Sequence, residues 1–482
     1  MALRIRDCRN PLVADIGGFT VHDLAIIREV SLTLDVRSWI AFVVASVTAF
    51  VLRVTKRAGT SLPGYLATRI SPNLLFYVLA KLDRCVIVTG TNGKTTTNAL
   101  LKSLVAQDEA WISNAMGANL LQGILSALLP ELTWRGQLRV KRAILEVDEA
   151  TLPRLTQRFQ PDMIIVTNVM RDQLDRYGEV DATLGYLYES TRDETVLLVL
   201  NADDPLAASL GKGRLNTFYF GLSDWPEDDL LRQEVRDGAF CLQCGGELLY
   251  TRTVFGQMGH YHCPICLAQR PFPQFSMRVR ERQEEVEIHE EIRLQSPIAY
   301  RVTSPLLGIY NAYNLLAACS AARLLGVNPL RFEAGLAQFT APIGRMQTFP
   351  GNPPRILALI KNPTGATMVL RSLEGTLNGD PLCFVINDAD ADGRDVSWLW
   401  DIDMESFVLR SPHVSGWYCA GTRGADMALR LKYAGINPAQ IQLLENAADT
   451  LKVNADEGGS VYILCTYTAL HPLANRLEAM HT

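Results

Sequence analysis

Residues 85–97 read CVIVTGTNGKTTT, an apolar run that passes through a glycine-bearing turn into a threonine-rich helical start. A strand feeding directly into such a turn sets a helix N-terminus, with its unpaired N–H groups, at the carboxyl end of a sheet strand, where α/β sheets bind anions. Gly90 and Gly93 let backbone N–H groups turn toward phosphate oxygens, and Thr91, Asn92 and Thr96 complete the loop. Lys94 supplies a positive point charge and the Thr95 hydroxyl a ligand for Mg²⁺. The spacing G-x-x-G-K-T is two residues shorter than G-x-x-x-x-G-K-[ST], which selects a particular subclass of triphosphate cradle.

Apolar runs and helical stretches alternate after residue 63, through RAILEVDEA, DMIIVTN and TVLLVLNADDP, the rhythm of a helix-wound parallel sheet. Polar residues at the ends of these runs would share the ligand-facing rim: Glu146 and Asp148, then Asn168, Arg171 and Asp172, then Asn201 and Asp203. Glu146 is the candidate for Mg²⁺ or a water; capping of the next helix is the competing role for these acids. The rhythm stops at residues 236–273 and resumes in the helix NAYNLLAACSAARLLG. Residues 278–293 read as exposed β-hairpins, and GNPP at 351–354 as a linker to a second α/β unit. The expected organisation is an N-terminal segment at 1–60, an ATP-binding α/β domain at 61–349 interrupted by an insert at 236–273, and a C-terminal α/β domain at 350–482.

Four of the ten cysteines fall in that insert. Cys241-x-x-Cys244 and Cys263-x-x-Cys266 have the two-knuckle spacing of a zinc ribbon, four thiolates for a tetrahedral, closed, structural Zn²⁺; two disulfides are the alternative. Cys85, Cys383 and Cys465 lie in apolar runs and read as small buried residues. A formal charge of −5 provides no basic face for nucleic acid. Cysteine usage without a cleavable signal points to a reducing cytoplasm. Residues 39–52 (WIAFVVASVTAFVL) form an apolar run followed by Arg53, Lys56 and Arg57. It is short of the about 20 residues of a span, and reads as a docked or interfacial helix at the inner membrane face rather than an anchor.

TGTNGKTTT, TN-x-x-RDQLDRYG, NADDP, NAYNLLAA and GRMQ together resemble the central domain of the Mur ligases and folylpolyglutamate synthetases, over about residues 64–347. The resemblance implies a Mur-ligase α/β fold, ATP and Mg²⁺ as cofactors, and an acyl phosphate made from a carboxylate. It also implies that Lys94 and Thr95 hold phosphates and Mg²⁺, that Asn314 reads the adenine, and that Arg345 reaches the nucleotide or the hinge. Gln173 departs from the D-H-L-D of the amino-acid-adding enzymes, and no UDP-sugar domain is recognisable. From about residue 41 onward the chain is similar to the MurT family, the synthetase subunits of lipid II isoglutaminyl synthases. That resemblance implies amidation of the D-glutamate α-carboxylate in lipid II with ammonia from a GatD-like glutaminase.

The last unit holds NDADADGRDVSWLWD at residues 387–401, which lacks the closing glutamate of an EF-hand. Without a family it is a cation loop or an acidic surface turn. By the resemblance, Asp395 of its D-G-R-D-x-S-W stretch completes a catalytic triad with the cysteine and histidine of the partner. No unclustered cysteine here stands at a glycine-flanked turn after a strand, so the chain offers no glutaminase nucleophile of its own. A ligase that adds an amino acid, and a non-catalytic ATP-binding scaffold, are the alternative functions.

Overall fold

The computed structural model describes residues 35–55, 61–107, 109–114, 118–172, 180–226, 236–280, 285–292, 296–306, 308–374, 376–456 and 458–480. Gln173 lies outside them. The first sheet has nine strands, in the order Ile298–Thr303, Glu285–Glu290, Phe275–Val279, Thr217–Asp224, Leu197–Asn201, Met163–Val166, Arg84–Thr89, Arg142–Glu146, Ile112–Ser113. Its pairs are parallel from Ile112–Ser113 to Phe275–Val279, and the last two strands add on antiparallel. The apolar runs are continuous because both faces are covered. Period-two alternation sends Val86 and Val88 into one core and Cys85 and Ile87 into the other. The first core is closed by the helices Lys94–Val105 and Ile309–Leu324, the second by helices that precede and follow the phosphate loop.

Two expectations about organisation change. The charged stretch near residues 278–293 extends the main sheet: Met277, Val279, Val286 and Ile288 alternate into its core, so these strands are half buried rather than exposed hairpins. The GNPP segment is the turn of a hairpin, because Gln347–Phe349 pairs antiparallel with Arg355–Leu359 and so already belongs to the second sheet. That sheet runs Gln347–Phe349, Arg355–Leu359, Val461–Cys465, Leu382–Val385, Trp417–Ala420, Ile441–Leu443, all parallel after the first pair. The apolar N-terminal run lies within a helix, Val36–Val54. Ala41, Phe42 and Ala45 join the core of the first sheet, while Trp39, Ile40, Val47, Phe50, Val51 and Val54 are exposed. Cys85, Cys383 and Cys465 are buried as expected.

Candidate active site and cysteine cluster

The turn after Arg84–Thr89 takes the glycines' left-handed geometry, φ 114° at Gly90 and 87° at Gly93. A Cβ at Gly93 would sit 2.0 Å from Asn314 Oδ1, and one at Gly90 2.4 Å from Thr167 Oγ1. The cradle therefore closes only on glycine. Gly93→Ala combines that clash with about 1–2 kcal/mol of left-handed strain. The expected result is loss of Mg·ATP binding, read by calorimetry, with the circular dichroism spectrum retained.

Asn168 clamps the loop from outside: its Oδ1 accepts from Asn92 N at 2.9 Å and its Nδ2 donates to Asn92 O at 3.0 Å. The Thr91 hydroxyl is committed to Met170, donating to its carbonyl at 3.0 Å and accepting from its N–H at 2.9 Å. Asn92 Nδ2 is buried without a partner beside the cradle, the kind of orphan donor that a bound anion satisfies.

Lys94 Nζ donates to Glu149 Oε1 at 2.9 Å and to the carbonyls of Gly90 and Thr91. Burial works against its charge, but Glu149, Asp148, Glu146 and Asp172 outweigh burial and hold the ammonium above the usual lysine range. Thr95 Oγ1 donates to Glu146 Oε2 at 2.8 Å. Asn119 reaches the other Glu146 oxygen, and Asn114 holds the Glu146 backbone through both N–H and C=O. A hydroxyl and a buried carboxylate in contact at the end of the phosphate loop are a fitting oxygen pair for Mg²⁺. Asp148 instead caps: its Oδ1 accepts from Ala150 N and its carbonyl from Thr151 and Leu152. Asn201 and Asp203 are structural too. Asn201 donates to Thr167 O, and Asp203 accepts from Tyr313 Oη, Leu222 N and Arg270.

The second sheet roofs the loop. Lys361 and Asn362 follow its strand Arg355–Leu359; Lys361 Nζ meets Asp172 at 2.5 Å, and Asn362 Nδ2 donates to Asp172 at 3.1 Å and to Asn92 at 3.0 Å. Burial tends to raise the Asp172 pKa, but Lys361 dominates and holds the carboxyl below the usual range. Arg171 adds a bridge to Asp237 at 3.2 Å and to Asp401 at 3.2 Å. Between the sheets is a cleft of about 730 Å³, part of it open to solvent, lined by Asn92, Gly93, Thr96, Asn168, Asn314 and Arg345 among the expected residues. Asn314 lies against Gly93. Glu149, Asn114, Lys361 and Asn362 were not singled out in the sequence, although Glu149 lies in the same EVDEA stretch as Glu146 and Lys361 lies two residues past the end of a strand.

Asp395 stands apart from this cleft, in the loop after Leu382–Val385. Its Oδ1 accepts from Ser397 N and its Oδ2 from Ser397 Oγ, each at 2.8 Å. Asp392, three residues earlier, is buried and anchors Thr468.

In the insert the four sulfurs lie within 4.8 Å of one another, with Cys241–Cys266 at 3.5 Å and Cys244–Cys263 at 3.4 Å. Tetrahedral Zn–S bonds of about 2.3 Å put sulfurs about 3.8 Å apart, so the set suits that ion. Each knuckle turns alike: Gly245 N donates to Cys241 O and Leu267 N to Cys263 O, with φ of 75° and 60°. His260 is engaged with Leu222 O, outside the sulfur set.

A phosphate loop under a two-sheet cleft, with an acid beside its threonine, defines an ATP-dependent ligase of the Mur type. The chain matches the Mur ligase middle domain at residues 88–247 and the MurT ligase C-terminal domain at 359–470. It is 31% identical over 451 residues to the protein named lipid II isoglutaminyl synthase (glutamine-hydrolyzing) subunit MurT of Staphylococcus aureus strain COL, covering 92% of this chain and 98% of that one. The protein of the same name in Streptococcus pneumoniae R6 is 32% identical over 86% of this chain and 91% of that one. Among solved structures, a pseudomurein peptide ligase type C from Methanothermus fervidus superposes with TM-score 0.59 at 20% identity, covering 83% and 79% of the two chains. E. coli FolC with DHPP and ADP gives 0.54 at 16%, covering 85% and 93%. The chain belongs to the MurT family and has the Mur ligase fold.

Proposed function

We propose that this chain is the synthetase subunit that amidates the α-carboxylate of D-glutamate in the lipid II stem peptide, giving D-isoglutamine for peptidoglycan. The observation that carries the reading is the Lys94–Glu149 and Thr95–Glu146 cradle roofed by Lys361 and Asn362, in a chain that covers 98% of a relative named as a lipid II isoglutaminyl synthase subunit. Gly90, Gly93 and the helix start at Lys94 bind the triphosphate of ATP; Thr95 and Glu146 hold Mg²⁺, which neutralises phosphate charge when bound. The substrate carboxylate attacks the γ-phosphorus and ADP leaves, with Lys94 stabilising charge on the transferred group. Ammonia then adds to the acyl carbon and phosphate leaves. Asn314 and Arg345 serve the nucleoside side, and Asn168 keeps the loop in shape.

The working division is a nucleotide domain over about residues 61–349, a zinc ribbon at 236–273 and a C-terminal domain from about 350. The last strand of the first range is shared with the C-terminal sheet. Ammonia comes from a GatD-like glutaminase docked on the C-terminal domain, and Asp395 orients that subunit's catalytic histidine. The chain works in the cytoplasm, with the exposed apolar face of Val36–Val54 toward the membrane that carries lipid II.

The test is lipid II amidation by the purified chain with ATP, with and without a GatD-like subunit, supplied with glutamine, ammonium or free amino acids. Expected are product from ammonium with the chain alone and from glutamine only with both subunits. Transfer of a free amino acid by the chain alone would replace this reading by an amino-acid ligase. ATP binding without any carboxylate-dependent turnover would replace it by a scaffold.

A further inference from the structure

The cysteine insert does not end at its metal knuckles. Directly after Leu248 and directly before Cys263 run the two strands Leu249–Phe255 and Met258–His262, paired antiparallel. At about 3.3 Å per residue they carry the turn between them roughly 20 Å from the sulfurs. That turn, Phe255, Gly256, Gln257 and Met258, is buried in the nucleotide cleft and not on the surface: Phe255 is 4% exposed, Gln257 1% and Met258 1%.

Phe255 and Met258 line the same cleft as the phosphate-loop residues Asn92, Gly93 and Thr96, together with Tyr310, Met346, Met368 and Val369. The Phe255 ring stands edge-on to Tyr313, centroids 6.0 Å apart. Apolar and aromatic side chains in a cleft that also holds a phosphate cradle suit a flat heteroaromatic base. The turn is fixed from both sides. Gln257 Nε2 donates to Val169 O at 2.6 Å and Asp204 Oδ1 at 2.9 Å, while its Oε1 accepts from Gly238 N. From the helix Pro363–Leu373 beside the C-terminal sheet, Arg371 Nη1 donates to Val254 O at 2.8 Å.

Mid-length the hairpin is tied to the strand Thr217–Asp224 and to Trp225 after it, by Arg252 to Asp224 and the Trp225 carbonyl and by His260 to the Leu222 carbonyl; its sulfur end has a small core of its own. The separate core there consists of Cys241, Leu248, Tyr261 and Cys263, with Tyr250, Cys266 and Ala268 against it. A module so small depends on its metal for its fold.

We propose that the insert is part of the nucleotide site: Phe255 and Met258 form the wall against the base of ATP, and the metal held by the four cysteines sets the position of that wall. Metal occupancy thereby governs nucleotide affinity without any metal contact to the nucleotide. This rests on the assignment of the cleft to ATP.

The experiment compares binding of ATP and of inorganic tripolyphosphate, each with Mg²⁺, to the full chain by calorimetry, with zinc content measured on every sample. In Phe255→Ala, ATP is expected to bind about tenfold more weakly, the scale of removing an aromatic partner from a base, while tripolyphosphate binds as before. Phe255→Leu recovers part of the loss. Cys244→Ser, with reduced zinc content, shows the same loss for ATP alone. Unchanged ATP affinity in Phe255→Ala, or in zinc-depleted Cys244→Ser, overturns the proposal, as does a parallel loss of both ligands. Failure of the unaltered chain to bind either ligand is a different result, and removes the ATP assignment itself.

Discussion

Replacing Lys94 by methionine is expected to slow ammonium-dependent, ATP-driven amidation by about 10²–10³-fold, the scale of deleting one preorganised charge from a transition state. The substitution also removes the partner of Glu149, whose side chain is only 8% exposed. A buried charge without its partner costs about 3–5 kcal/mol, so Lys94→Met alone confounds catalysis with folding. The double variant Lys94→Met with Glu149→Gln separates them. It removes both charges, and its thermal midpoint is expected to return most of the way to that of the unaltered chain. Its turnover is expected to stay as low as that of the single variant. Recovery of turnover in the double variant would show that Lys94 matters only as the counter-ion of Glu149. The lysine now points back at Gly90 O, Thr91 O and Glu149, and on binding it would exchange those acceptors for phosphate oxygens.

What the sequence discloses and what it hides divide along physical lines here. The phosphate loop is legible because strand, glycine turn and helix start are contiguous, and its backbone geometry is imposed by local sterics at Gly90 and Gly93. The four cysteines are legible because ligand spacing within each knuckle is local. Lys361 and Asn362 are not, since they meet Asn92 and Asp172 across roughly 190 to 270 positions of chain. Only the packing of one sheet on the other makes them neighbours. Glu146 and Asp148 differ by two residues and look interchangeable in the sequence. Strand pairing turns Glu146 toward Thr95, while Asp148 falls in the following turn and spends its oxygens on backbone N–H groups. Asn201 and Asp203 sit on the expected rim, yet their oxygens and amide are consumed in joining strands, helix and insert. A rim position gives access to a site only where side-chain hydrogen bonds elsewhere do not use it up. The GNPP turn misled as a domain boundary because a hairpin turn and a linker draw on the same residues.

Asp395→Asn is expected to abolish the use of glutamine, by about 10⁴-fold if the carboxylate fixes a partner imidazole as in other triads, and to leave the use of ammonium intact. The substitution is nearly isosteric, and the local geometry tolerates it: Oδ1 can still accept from Ser397 N, and the Ser397 hydroxyl can rotate to accept from the new amide. What disappears is the charge that stabilises an imidazolium and selects its tautomer. Asp395 is only partly buried and does not line the phosphate cleft, whereas Asp392 is buried and bound to Thr468. Asp392→Asn therefore makes the contrasting variant. It disturbs the seat of the helix Tyr467–Ala479, and is expected to lower thermal stability and affect both nitrogen donors alike. The two reactions, glutamine-dependent and ammonium-dependent, are to be followed on the same assembled complex, with size-exclusion chromatography confirming that Asp395→Asn still binds its partner. Equal loss with both donors would place Asp395 in the synthetase reaction or in folding. No loss with either would return residues 387–401 to an acidic surface turn. Selective loss with assembly preserved would mean that this chain supplies the carboxylate of its partner's active site, so that glutamine is hydrolysed only where a synthetase is present to receive the ammonia.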